Sequence, residues 1–184
     1  MFAVLLGGVT AMLPIYARDI FHAGPQGLGL LRCSPAIGAG LVAVYLARWP
    51  MQHNAGKTML TCVAIFGAAT AAFGVTTHLP LAMAALIVLG AADMCSVFVR
   101  QTMLQIGTPD ALRGRVSAVN SMFIGSSNEI GDFESGTMAS LLGTVPAVVV
   151  GGCLTLTVVT ITYFKTKDLL PLKLEDINRT ETAI

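Results

Sequence analysis

Residues 125–136, GSSNEIGDFESG, place three carboxylates, Glu129, Asp132 and Glu134, in a stretch bounded by apolar sequence on both sides. Only 11% of the 184 residues are charged and 54% are hydrophobic. An ordinary soluble domain carries about 25% charged residues. The mean hydropathy of +0.75 completes the composition of a membrane protein. At membrane depth a carboxylate is costly, so each acid in this stretch is a functional candidate.

Working outward from it, the apolar segments fall at about 1–17, 27–47, 58–77, 80–99, 116–142 and 145–164, with short polar breaks between them. A helix needs roughly 20 apolar residues to cross about 30 Å of hydrocarbon. The pattern therefore predicts an all-α membrane protein with six transmembrane helices in one bundle over residues 1–164, followed by a solvated tail over 165–184. The first segment is short and starts at Met1, which suggests that the chain begins partway through it. Small residues recur inside the segments, as in AIGAG and GAATAAFG. They allow close helix approach where no hydrophobic force drives association.

Arginine and lysine set the orientation. Arg48, Lys57, Arg100, Arg113, Arg115, Lys165, Lys167, Lys173 and Arg179 fall on one side, Arg18 falls on the other, and Arg32 lies within a span. This predicts a multi-pass membrane protein with both termini cytoplasmic. The formal net charge of +1 does not suit nucleic acid, which calls for clustered basic residues. Cys33, Cys62, Cys95 and Cys153 lie far apart in apolar segments without metal or redox spacing, so they read as small core residues. No metal and no cofactor is expected.

On a helix, Glu129 and Asp132 (i, i+3) share a face with Ser121, Gly125, Gly136 and Ser140, while Glu134 points elsewhere. Asn128 and Ser135 add a second polar strip, which predicts a helix packed among other helices. Counted from Val116, Glu129 lies about 20 Å deep. Arg32 sits about 8 Å below the far surface, a matching level that makes it a candidate partner of Glu129 or Asp132. Snorkelling to the interface is the alternative. Asp93 lies about 20 Å into the fourth span, and its candidate roles are an interhelical hydrogen bond or a place on a transport pathway. Neighbouring carboxylates in a low-dielectric setting resist holding two charges at once, so Glu129 and Asp132 are candidates to exchange a proton. The bland alternative is that they hold the helix in register.

The run LQIGTPDALRGRVSAVNSMFIGSSNEIGDFESG, residues 104–136, resembles the cytoplasmic loop and following helix in the C-terminal half of bacterial major facilitator superfamily transporters. It is most similar to the enterobactin-exporter-like branch, the transmembrane secretion effectors, and TPDALRGRV at 108–116 is its most specific part. Taken by itself, TPDALRGRV reads as a helix start, with Thr108 before Pro109 and Asp110 in the first turn.

The resemblance implies that the six spans are helices seven to twelve of the superfamily fold, with the Asp93 span on the central cavity. It implies that the Arg32 and Glu129 spans lie between halves. It also implies a cytoplasmic latch, assigned here to Arg113, Arg115 and Asp110, with plain anchoring of the arginines as the alternative. The loop after the second span, ARWPMQHNAGKT, keeps only Gly56 and Lys57 of the superfamily's signature there. Such transporters rock two halves around a midplane site. The chain is thus expected to be the C-terminal half of a longer protein, or else one of two paired copies.

The expected function is transport of a small molecule, by proton-coupled efflux. Its partners are the lipid bilayer, a small-molecule substrate, protons, and an N-terminal six-helix half or a second copy. The alternative is a non-transporting fragment or accessory membrane subunit. An intramembrane protease fits poorly, because FESG has Phe133 where the serine turn needs Gly and the three histidines fall in loops or at span ends. No catalytic residue is assigned. A channel fits poorly too, since the acids do not repeat around several spans. Aromatic residues make up only 7% and Trp49 lies in a loop, which leaves no evident cage for a large cation.

Overall fold

Glycine and proline punctuate the chain, and the helices run between them. The computed structural model describes residues 8–49 and 55–165. Six α-helices follow in order: α1 (Gly8–Ile15), α2 (Gly24–Arg48), α3 (Ala55–Val75), α4 (Leu79–Ile106), α5 (Arg113–Leu142) and α6 (Thr144–Lys165). Each overlaps one of the six segments expected from hydropathy. Among the described residues there is no strand. The expected tail falls mostly outside the described residues, as does the middle of the loop between α2 and α3.

Local chemistry explains the boundaries. α2 begins at Gly24, whose φ of +63° favours glycine, with Pro25 in its first turn. α4 also carries a proline, Pro80, in its first turn and stops at Gly107. The Gly143 φ of +91° separates α5 from α6. Pro14 lies near the end of α1, and the chain continues from there as a wider π turn over Tyr16–Ile20.

Four helices, α2, α3, α4 and α6, are long and apolar enough to cross a membrane by length and composition. α5 has ample length at 30 residues. It carries Arg113, Arg115, Glu129, Asp132 and Glu134, however, and so falls outside that group. The chain is accordingly a multi-pass helical membrane protein.

Two glycine contacts bring α2 and α4 together. A Cβ on Gly38 would strike the Ile87 carbonyl, and one on Gly90 would strike the backbone of Pro35. Backbone meets backbone because neither residue has a side chain, the usual device where lipid supplies no hydrophobic drive. α3 and α6 repeat the device: a Cβ on Gly152 would lie 2.8 Å from the Ala71 nitrogen, and one on Gly67 3.1 Å from Thr155 Cγ2. α3 also packs along α4.

The buried core joins α1, α2, α3 and α4 through Leu13, Leu31, Phe73 and Leu86. Tyr16 is fully buried in it, its ring tilted against that of Phe73 with the centroids 4.6 Å apart, and its hydroxyl donates to the Gly74 carbonyl at 3.2 Å. That bond ties the π turn after α1 to the end of α3.

α5 departs from expectation. It packs against α1 and α6, but Gly131 is its one buried residue, and Phe123, Phe133 and Leu141 are more than 70% exposed. A Cβ on Gly125 or Gly136 would meet nothing within 4 Å. A helix expected to be enclosed on polarity grounds therefore has most of its girth open in this chain. The small residues that close the α2–α4 contact are unused here, because no described helix lies against that face.

Candidate functional site

The packing of α4 on α2, and of α5 on α1, leaves a cavity of about 560 Å³ between these helices. Val9, Leu13, Phe66, Leu86 and Leu89 supply much of its apolar wall. Its polar groups are Thr10 on α1, Asp93 and Arg100 on α4, and Asn128 and Asp132 on α5. Such a mixture, mostly apolar with a few convergent polar groups, and this volume, are typical of small-molecule sites.

Helical periodicity places the polar groups. Gly90, Asp93, Val97 and Arg100 follow the i, i+3, i+7, i+10 rhythm of one α4 face. The clasp of Gly90 against Pro35 holds that face toward the cavity, three residues from Asp93. Arg100 is seven residues, or about 10 Å, further along the helix. On α5, Ile124, Asn128 and Asp132 are spaced by four and line the opposite wall.

Two atoms in this wall stand out. Arg100 Nε and Asp132 Oδ1 are buried and have no hydrogen-bond partner. A buried polar group without a partner carries a desolvation cost of about 1–3 kcal/mol, more when charged. Native proteins seldom keep such groups idle. Both atoms belong to residues lining the same cavity: Nε is a donor that calls for an acceptor, and Oδ1 calls for a donor or a proton.

The expected site residues separate here. Asp93 and Asp132, assigned from different spans, meet at one cavity. Glu129, which shares a nominal face with Asp132, is exposed and outside the lining. The 60° between them on the helix is enough to turn one inward and leave the other outside. Glu134 is exposed as well.

Arg32 is exposed on α2 and forms no ion pair with Glu129 or Asp132; among the described residues the ion pairs are Arg18–Asp19 and Arg113–Asp110. Matching depth was not sufficient, because α2 packs on α4 while α5 packs on α1 and α6. Sequence reasoning passed over Arg100 and Asn128 as site residues. The signal for Arg100 was its seven-residue spacing from Asp93, which keeps both on one face. For Asn128 it was the four-residue spacing to Asp132.

The loop between α4 and α5 is built differently from the expected helix start. The Thr108 hydroxyl donates back to the Leu104 carbonyl at 2.6 Å, closing α4, and does not cap the next helix. Pro109 is extended, at ψ 145°, before a 3₁₀ turn over Asp110–Leu112, and α5 starts only at Arg113. Arg113 binds its own loop, pairing with Asp110 at 2.7 Å and donating from Nε to the Thr108 carbonyl at 3.2 Å. Arg115 is exposed without a partner among the described residues.

In comparison with known proteins, the family described as transmembrane secretion effector matches residues 1–180. No curated protein and no solved structure matches the chain.

Proposed function

Since the chain belongs to the transmembrane secretion effector family of major facilitator superfamily transporters, we propose that it moves a small molecule through the cavity between α4 and α5, in exchange for protons carried by Asp132 and Asp93. The observation that carries this reading is the meeting of those two acids at one cavity, with Asp132 Oδ1 buried and unpartnered. A carboxylate there is stabilised either by a proton or by a donor on the substrate, and alternation between the two couples their movements. Efflux of a small organic molecule from the cytoplasm follows the branch that the 104–136 run resembles.

The chain acts as a C-terminal half in this reading. Its open α5 face, with Gly125 and Gly136 unfilled, and the exposed Arg32 and Glu129 lie toward an N-terminal six-helix half or a second copy. Both termini are cytoplasmic and the protein sits in the inner membrane. Arg115, with the Arg113–Asp110 clamp that positions its helix end, forms the cytoplasmic latch between conformations.

The test is transport in proteoliposomes under an imposed pH gradient, using the longest natural reading frame. Gradient-driven substrate movement is expected for the native protein, with a loss of tenfold or more, about 1.4 kcal/mol in transition-state terms, for Asp132→Asn. Movement that ignores the gradient in the native protein would sink the proton-coupled reading. A protein that moves nothing would leave an accessory role instead.

A further inference from the structure

Arg100 is the charged residue of the cavity lining that proton exchange does not use. An arginine guanidinium is cationic and presents a planar fork of donors suited to carboxylates and phosphates. A membrane arginine that merely snorkels carries its donors out to water. Here Nε is sealed in the cavity wall and has no partner. Asp93 lies within electrostatic reach of Arg100, yet among the described residues no ion pair joins the two side chains, and about 10 Å of helix separates the positions. Arg100 is the cation of this lining, at the end of α4 that runs into the basic loop, and the carboxyl groups of Asp93 and Asp132 line the same cavity. Beyond it stands an apolar wall of Val9, Leu13, Phe66 and Leu86, with Asp132 contributed by the facing helix.

We propose that the cavity takes an amphiphilic organic anion, its oxyanion group on the Arg100 guanidinium and its apolar body along the α1 and α4 wall. This deepens the transport reading and rests on it for the fate of the ligand, but binding can be measured separately. A carboxylate meeting the fork side-on accepts two parallel hydrogen bonds, including the one Nε now lacks, and removes the cost of an unpaired buried donor. An isosteric neutral amide offers only one acceptor oxygen and brings two donors toward a cation. The arrangement therefore selects for charge at one end of the ligand and for apolar volume along the rest.

The test uses a matched pair of fluorescent probes, a naphthyl-alkyl carboxylate and its primary amide. Each is titrated at one pH into phosphatidylcholine liposomes with and without the reconstituted protein. The expected result is at least tenfold tighter protein-dependent binding of the carboxylate, in keeping with a charge-assisted bidentate pair. That preference should vanish in Arg100→Gln and survive in part in Arg100→Lys, which keeps the charge without the fork.

An anion preference that persists in Arg100→Gln overturns the proposal, as does a native protein that binds both probes equally. Repeating the titration with phosphatidylglycerol in the liposomes separates the two sources of an oxyanion. If that lipid displaces the probe from the native protein but not from Arg100→Lys, the site belongs to a lipid headgroup and the substrate proposal fails. Binding of the carboxylate without gradient-driven movement would count against the transport reading while supporting this one. Movement without charge preference would do the reverse.

Discussion

Asp132 on α5 and Arg100 on α4 line the same cavity, and each has one buried side-chain polar atom with no hydrogen-bond partner. The helices that carry them are consecutive in the chain, and the cavity lies between them. Among the described residues no ion pair joins the two side chains. They define two ends of a site, and the consequences can be separated by substitution.

Asp132 and Glu129 are three residues apart, yet only Asp132 faces the cavity. Asp132→Asn is predicted to abolish pH-gradient-driven transport, whereas Glu129→Gln should leave the initial rate within about twofold, as expected for an acid outside the site. Paired proteoliposome assays of the two variants check this. Equal losses in both would mean that the cavity does not distinguish them.

Gly38→Val should disrupt the α2–α4 contact, because the added side chain meets the Ile87 backbone and no flexible group can yield. Overpacking of this kind costs about 1–3 kcal/mol or more. Gly125→Ala on α5, where a Cβ meets nothing within 4 Å, should leave the thermal midpoint of the same chain in detergent unchanged. A stable Gly38→Val protein would show that the glycine clasp is dispensable.

Tyr16→Phe removes the hydroxyl that reaches the Gly74 carbonyl at 3.2 Å while keeping the ring against Phe73. The expected loss is about 0.5–1.5 kcal/mol, that of one ordinary hydrogen bond. Tyr16→Leu should cost more, since the aromatic contact goes as well. Unfolding titrations in mixed micelles rank the pair, and an identical midpoint for Tyr16→Phe and the native protein would remove the bond from the account of stability.

Arg113→Ala breaks the pair with Asp110 and the bond to the Thr108 carbonyl. Both side chains of the pair are more than half exposed, at 53% and 86%, so solvent screening limits the stability loss to about 0.2–1 kcal/mol. A transport defect much larger than that loss would point to the latch role. If transport falls only in step with thermal stability, Arg113 is a loop clamp and nothing more.

Much of the architecture was legible in advance because its cause is one-dimensional. Segment length and apolar content mark helices without reference to any neighbour, and the helices appear where the segments lie. The Thr108–Pro109–Asp110 start was misplaced by a few residues. A threonine there can serve the helix behind it as readily as the one ahead, and only the path of the chain decides between them. The environment of α5 was misjudged for a related reason: polarity around a helix shows that something polar must meet it, but not whether the partner belongs to the same chain.

That the protein is helical and multi-pass, and that a few acids within its apolar segments are candidates for its work, can be read from the chain alone, since hydropathy and the cost of buried charge are properties of residues taken singly or at helical spacing. Helix packing selected which of those acids share a space. It joined Asp93 to Asp132, added Arg100 and Asn128, and left Glu129 and Arg32 outside, because the rotation of each helix is set by where glycines let backbones touch, as Gly38 and Gly90 do between α2 and α4. That contact exists between helices and is written in neither one alone.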